Sequence, residues 1–177
     1  MKSWKGALLG FAIIAVATYY AVLAGTPYLI MRRAIGGVAR QAGGFNKPLA
    51  TSLPTAASRG IVKPSPDLLY TACAFDIAAG PVLIGGSPRQ TYWSMALYGS
   101  NTDNFFVVND RQAQGEPVQI VLATPDMRDR IPAEYKSLRI VEPPSNKGIV
   151  LFRYLVLDLQ ELATTEQIQK TAVCRRL

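Results

Sequence analysis

Residues 91–98 of the chain, TYWSMALY, alternate between two sets of side chains and indicate the fold class. Successive side chains of a β-strand point to opposite faces, so a period of two predicts a strand with one face toward a core. The aromatic and β-branched residues of the stretch favour the same structure. The two faces are Tyr92, Ser94, Ala96 and Tyr98 on one side, and Trp93, Met95 and Leu97 on the other.

Similar short apolar stretches lie on both sides of this strand and are separated by Gly, Pro, Asn and Asp turns. Strands at this spacing predict an antiparallel sandwich or a barrel over residues 67–177. Residues 164–173 are predicted to form a short closing helix, and residues 126–136 could hold another. The further predicted strands are 68–77, 82–84, 105–108, 118–123, 137–141 and 148–156.

The front of the chain predicts a transmembrane signal-anchor helix over residues 1–31. Residues 6–31 contain no charged side chain, and a 26-residue helix is about 39 Å long, which exceeds the roughly 30 Å hydrocarbon core of a bilayer. A cleavable signal peptide is the alternative, with Lys2 and Lys5 as its basic start. Under both interpretations the remainder of the chain is exported across the membrane. Gly6 and Gly10 form a G-x-x-x-G motif that could bring two such helices together, although glycine is common in spanning helices.

The charge of the chain is concentrated beside this apolar segment. The net charge is +7, and residues 1–66 hold eight basic and no acidic residues. Residues 67–177 hold the remaining 19 − 8 = 11 basic residues and all 12 acidic residues, so their net charge is −1. We therefore expect residues 32–66, rich in Gly and Pro, to be a basic juxtamembrane connector that contacts membrane lipid. The near-neutral domain argues against nucleic-acid binding.

The chain has no histidine, which excludes Ser-His-Asp and Cys-His nucleophiles and histidine-based zinc sites. No catalytic residue, metal site or cofactor is predicted. The two cysteines, Cys73 and Cys174, form an even pair in a compartment expected to be oxidising, and we predict a disulfide between them. The alternative is two separate thiols.

Several aromatic and polar residues are candidates for ligand binding, each with a structural alternative. Strand aromatics could line a groove for a glycan or lipid, or they could belong to the core. The polar residues of the loop after residue 98 could supply oxygen ligands, but Asn and Asp are also ordinary turn residues, and their spacing matches no calcium loop. The candidates are Tyr70, Tyr92, Trp93, Tyr98, Asn101, Asp103 and Asn104.

Asp67 is predicted to have a structural role at the start of a strand, by accepting backbone N–H bonds or by pairing with Arg59. Asp67 and Asp76 could instead form a catalytic pair of carboxylates. Nine residues along one strand separate them, so that strand cannot bring them together.

Four segments in order resemble an uncharacterised bacterial family, domain of unknown function 1254. They are residues 65–70 (SPDLLY), 80–82 (GPV), 92–94 (YWS) and 103–105 (DNF), and the match covers roughly residues 46–125. Ser65 and Leu68 depart from the Asn and Thr of the family pattern. The resemblance implies an immunoglobulin-like β-sandwich. It also implies a separate partner protein with the companion domain numbered 1214, which longer members carry themselves and which this chain is too short to contain.

Together these observations predict a single-pass protein of the bacterial inner membrane, with its N-terminus inside and its β-domain in the periplasm. We expect a non-catalytic domain that binds a partner protein. A glycan- or lipid-binding module of the envelope and a carboxylate-based envelope hydrolase are the alternatives.

Overall fold

The computed structural model describes residues 3–58 and 64–177. It is mainly β, with antiparallel and mixed sheets, a long N-terminal helix and a short C-terminal helix. The predicted fold class is thereby confirmed at this level. Arg59, predicted to pair with Asp67, lies outside the described residues.

The N-terminal helix α1, Ser3–Gln41, is one continuous element of 39 residues. It passes through Pro27, where the sequence allowed a kink or an end, and it stops where Gly43 adopts a left-handed conformation at φ +71°. The Gly44 N–H donates to the Ala39 carbonyl at 2.8 Å, which satisfies one of the terminal carbonyls of the helix. By length and composition α1 can cross a membrane, a property that signal sequences share.

The last third of α1 packs on the protein's own β-structure. Met31, Ile35, Val38 and Ala39 are buried in one cluster with Ala74 and Ile149 of a sheet. The spacing 31, 35, 38 places these side chains on one face of the helix. By contrast, the apolar side chains between Trp4 and Ile30 are largely exposed to solvent. The helix therefore continues from an unburied apolar segment into a docked segment without a break.

A five-stranded antiparallel sheet supports this docking. Its strands are ordered β1-β2-β8-β4-β5. Strand β1 and the docked end of α1 both fall in the predicted connector, so that segment contributes to the fold because its apolar side chains cover the sheet. The bounds are β1 Pro48–Ala50, β2 Leu68–Asp76, β4 Trp93–Gly99, β5 Asn104–Asn109 and β8 Lys147–Leu155.

A second, four-stranded sheet has the order β7-β6-β3-β9, in which only β6 and β7 run parallel. Strand β9 was not predicted, and the predicted helix over residues 164–173 is the shorter α3. Two 3₁₀ helices, Pro125–Arg130 and Ala133–Tyr135, occupy residues 126–136. The remaining bounds are β3 Val82–Gly86, β6 Val118–Leu122, β7 Arg139–Val141, β9 Val173–Arg176, α2 Asp110–Ala113 and α3 Leu162–Gln169.

The two sheets share one core. Trp93, Phe152 and Tyr154 of the five-stranded sheet are fully buried in the same cluster as Ile84 and Ile120 of the four-stranded sheet. The predicted disulfide is confirmed: Cys73 of β2 and Cys174 of β9 are bonded, with their Cα atoms 6.5 Å apart. The bond therefore links the two sheets across the core.

Arg89 connects α3 to the end of the core through an ion pair and hydrogen bonds. The Arg89 guanidinium, 10% exposed, forms an ion pair with Glu161 at 2.8 Å. It also donates to the Leu155 carbonyl at 3.2 Å and to the Thr165 hydroxyl. Gln169 of α3 donates to the Tyr70 carbonyl at 2.9 Å, which ties the helix to β2.

Candidate functional site

The outward face of the five-stranded sheet divides into a covered half and an open half. Strand register places Tyr98 of β4 beside Ile149 of β8 and Ala74 of β2, and this row lies under α1. Two residues further along β8, Leu151 joins Ala96 and Val107 in an apolar row. The next row is polar, and it consists of Tyr70, Arg153, Ser94 and Asn109.

Arg153 is the centre of the open half. Its Nη2 donates to the Tyr98 hydroxyl oxygen at 3.2 Å, and beside it the hydroxyls of Tyr92 and Ser94 lie 3.0 Å apart. Partial burial lowers the pKa of the Arg153 guanidinium, but hydrogen bonds and charge interactions with Tyr92 and Tyr98 outweigh it, and the net pKa lies above the ordinary value. We call Tyr92, Ser94, Tyr98 and Arg153 the outer-face cluster.

The outer-face cluster is accessible to a ligand. Tyr92 is 41% exposed and Val107, in the neighbouring apolar row, is 53% exposed. A recess of roughly 420 Å³ adjoins the cluster and is lined by residues 90–92 and 109–111. The open half thus offers a cation, phenolic hydroxyls and apolar surface side by side.

Strand β5 forms one edge of the same sheet and, within residues 3–58 and 64–177, pairs with β4 alone. Its sequence, Asn-Phe-Phe-Val-Val-Asn, contains no charge and no proline. Phe106 lies under the Arg139 guanidinium of β7, 5.0 Å from ring centroid to Cζ, so the inward flank of the edge is shielded. No described strand pairs with the outer backbone edge of β5, and the outward Val107 side chain is exposed.

Of the four aromatic residues considered for ligand binding, some lie on the sheet surface and one lies in the core. Tyr92 and Tyr98 belong to the outer-face cluster. Tyr70 lies in the same row as Arg153, half-buried, and its hydroxyl accepts from the Ser65 N–H at 3.0 Å. Trp93 is fully buried between the sheets, because the strand alternation turns it away from Tyr92. Its candidacy as a surface ligand-binding residue is therefore wrong.

The loop candidates form a turn at the opposite end of β4. The Asn101 side chain donates to the Asp103 carboxylate and accepts from the Asp103 N–H at 3.3 Å, and Asn104 begins β5. The structure does not bring these three residues to the outer-face cluster. Asn109, at the other end of β5, caps α2 reciprocally with Gln112.

The two aspartates considered as a catalytic pair lie near opposite ends of β2, roughly 30 Å apart along an extended chain. Asp76 pairs with Lys147 at 3.4 Å and accepts from the Ala78 N–H at 2.9 Å. Asp67 is exposed, and the strand start is held by its backbone carbonyl, which accepts from the Val156 N–H at 2.8 Å.

Arg153 was not predicted from the sequence. The alternation of residues 148–156 could have placed it on the opposite face from Val150 and Phe152. Its neighbours Tyr92 and Tyr98 come from a strand more than fifty residues away, and only strand order and register bring them together.

Comparison with solved structures shows the fold. The VPA0106 protein from Vibrio parahaemolyticus superposes with a TM-score of 0.56 at 19% identity, over 64% of this chain and 28% of that one. A putative uncharacterized protein from Burkholderia cenocepacia gives a TM-score of 0.44 at 23% identity, over 77% of this chain and 38% of that one. The chain thus spans well under half the length of these relatives.

A comparison with curated proteins gives no significant match. A family model described as "Protein of unknown function (DUF1254)" matches residues 45–176, which include every strand of both sheets. This range extends the resemblance found in residues 46–125 through the C-terminal half of the β-domain. The chain therefore belongs to the DUF1254 family.

Proposed function

We propose that this protein is a membrane-anchored cell-envelope domain that binds a partner protein through the edge of strand β5. In this proposal α1 crosses the bacterial inner membrane once, its N-terminus inside, and the β-domain is an immunoglobulin-like sandwich in the periplasm. The partner carries the companion 1214-type domain that the family resemblance implies. The disulfide between Cys73 and Cys174 supports an oxidising compartment.

The observation that carries the proposal is the contrast among the four sheet edges. Natural proteins protect edge strands with short length, proline or charge, because unpaired backbone groups attract other strands. Strands β1 and β7 have three residues each, with Pro48 in one and Arg139 in the other. Strand β9 ends in Arg175 and Arg176. Strand β5 has six residues and none of these protections.

An edge of this kind suits strand addition, in which a partner strand contributes main-chain hydrogen bonds and alternate side chains give specificity. Val107 would contact the partner on the outward face. Its side chain is 53% exposed.

The docked helix supports the same proposal. Burial of Met31, Ile35 and Val38 against the sheet fixes the domain to the end of its anchor without a flexible linker. Edge β5 then faces a constant direction relative to the bilayer. Such an arrangement favours recognition of a partner that is itself membrane-bound, because both surfaces are pre-oriented.

The test compares Val107→Lys with Leu157→Lys in the full chain, expressed at native level and purified in mild detergent. Leu157 is 70% exposed and lies outside β5, so its variant is the matched control. We expect a protein with the companion domain to co-purify with wild type and with Leu157→Lys, and to be reduced at least about tenfold by a charge on the edge. Equal recovery with Val107→Lys, or a lone monomer for wild type, contradicts the proposal.

A ligand-binding module of the envelope is the second candidate function, and the outer-face cluster favours it. Exposed tyrosines beside an arginine can stack on and hydrogen-bond to a glycan or another small ligand.

A further inference from the structure

In the part of the chain that the structure describes, Arg153 is a partly buried cation without a carboxylate partner. The ion pairs among the described residues join Arg89 to Glu161 and Lys147 to Asp76, and neither includes Arg153. Its hydrogen-bonding neighbours, Tyr98 and Tyr92, offer phenolic hydroxyls rather than carboxylates. Charges taken out of water are usually paired, and this partly buried guanidinium has hydroxyl groups in place of a carboxylate.

Arg89 of the same chain shows the ordinary arrangement. Its side chain is 10% exposed, and its guanidinium contacts a carboxylate, a backbone carbonyl and a hydroxyl. A guanidinium has five N–H donors in a planar fork. Arg153 uses part of that capacity on phenolic oxygens, so donors remain for a further acceptor on the open half of the sheet.

The groups around Arg153 suit an anionic ligand. Phenolic hydroxyls of Tyr92 and Tyr98 can also donate to an oxyanion, and the Ser94 hydroxyl lies 3.0 Å from that of Tyr92. Val107, which is 53% exposed and lies in the neighbouring apolar row, can contact the body of a ligand. Arginine recognises carboxylate and phosphate through paired, charge-assisted hydrogen bonds.

The position of the cluster favours a soluble ligand over a lipid head group. In the proposed membrane arrangement the far end of β4 faces the bilayer, because Thr102 of the following loop and residues of α1 between Thr18 and Ile30 line one recess. Arg153 pairs with Ser94, five residues from Gly99, which is roughly 16 Å along the strand. The Arg153 backbone therefore lies away from the exposed part of α1, and its guanidinium reaches the Tyr98 hydroxyl.

We propose that the outer-face cluster binds the oxyanion group, carboxylate or phosphate, of a small soluble ligand, with Arg153 as the principal contact. Tyr92 and Tyr98 complete the hydrogen bonds to the anion, and the buried Ser94 hydroxyl orients that of Tyr92. This site is separate from edge β5 and does not depend on the proposed protein partner.

The test is a titration of the full chain in nanodiscs of zwitterionic lipid, followed by the ¹⁵N side-chain signals of arginine and the ring signals of tyrosine. The two probes are inorganic phosphate and sodium glucuronate, with sodium chloride at equal ionic strength as the reference. Arg153→Gln removes the cation. Arg175→Gln is the matched control, because Arg175 also donates to a tyrosine hydroxyl, that of Tyr135 at 2.7 Å, but on an exposed surface.

We expect a saturable shift of the Arg153 signal with at least one probe. Arg175→Gln should retain it, and Arg153→Gln should weaken binding, followed at Tyr92 and Tyr98, by about tenfold or more. The more effective probe distinguishes phosphate from carboxylate. Arg153→Lys keeps the charge but loses the fork, and we expect intermediate affinity.

The proposal is overturned if neither probe produces a saturable shift in wild type beyond that of chloride, a result that needs no variant to fold. Unchanged affinity in Arg153→Gln would also overturn it. If nanodiscs containing anionic lipid reproduce the shift without any probe, the site binds lipid head groups and the soluble-ligand proposal is wrong. Loss of the companion protein in Val107→Lys with retained probe binding would show that the two surfaces act separately.

Discussion

Reduction of the bond between Cys73 and Cys174 is expected to remove a large share of the protein's stability. The two cysteines are 101 positions apart. In the chain-entropy model, a closed loop of about 100 residues stabilises the folded state by about 4.7 kcal/mol at 25 °C. Small domains have a total free energy of unfolding of roughly 5–15 kcal/mol, so the reduced protein should be close to the limit of stability.

The packing around the bond favours an effect near this entropic value. Cys73 is fully buried and Cys174 is 2% exposed, both in the apolar core between the sheets. Reduced thiols pack as small apolar groups, so reduction adds no buried charge. The difference between the oxidised and reduced proteins should therefore come mainly from the unfolded chain.

The assay is equilibrium urea unfolding of the full chain in detergent, with and without reductant. The chain has two tryptophans, and a Trp4→Phe background leaves Trp93, fully buried in the core, as the fluorescent probe. The Cys73→Ala/Cys174→Ala variant is the control, and reductant should not change its unfolding. A loss below about 1 kcal/mol on reduction, or an equal loss in the double variant, would refute the reasoning.

Two further predictions concern the core and the docked helix. Burial raises the pKa of Tyr154 to about 12, although an interaction with the Trp93 side chain opposes the rise. As the pH rises, this tyrosine therefore loses its proton in the unfolded state before it does so in the folded state. The free energy of unfolding should fall by at most about 2.7 kcal/mol between pH 10 and 12. Tyr154→Phe should remove this fall in urea unfolding, whereas a profile identical to wild type would refute it. Ile35→Asp places a charge in the buried contact between α1 and the sheet. Amide hydrogen exchange over residues 31–41 should therefore accelerate about tenfold or more. Arg33 is exposed, and the control variant Arg33→Asp should leave the exchange rate unchanged. Unchanged exchange in Ile35→Asp would show that this contact does not hold the helix.

The sequence predicted the strands that have strong local signals. Residues 68–77 and 148–156 were predicted as strands, and the structure has β2 at Leu68–Asp76 and β8 at Lys147–Leu155. Runs of apolar and β-branched residues between Gly and Pro turns suffice for such elements, because buried strands need those side chains wherever they lie in a sheet. The disulfide was predictable because two cysteines allow one pairing.

The elements that depend on partners distant in sequence were not predictable. Strand β1 contains Pro48 and β9 ends in two arginines, so neither has a strong strand pattern, and both exist because they pair with β2 and β3. The docked face of α1 could not be predicted from the sequence for a similar reason. Met31 ends an apolar segment whose composition indicates lipid, whereas Ile35 and Val38 lie in the segment predicted to be a basic connector.

The candidate site shows the same limit. Alternation along residues 91–98 placed Tyr92 and Tyr98 on one face of a strand, as the structure has them. It could not supply strand order, so it gave no reason to place Arg153 between these tyrosines. Pairing of distant segments, which single-strand patterns do not encode, determines the chemistry of this surface.

The central claim is that lipid holds α1 while the β-domain is fixed to its docked end. Alkaline carbonate extraction of membranes containing the full chain, with the N-terminal sequence checked by mass spectrometry, tests it most directly. We expect the intact chain, with residues 1–30 present, to remain in the membrane pellet. Release of the intact chain into the supernatant, or a pelleted fraction that lacks residues 1–30, would contradict the account.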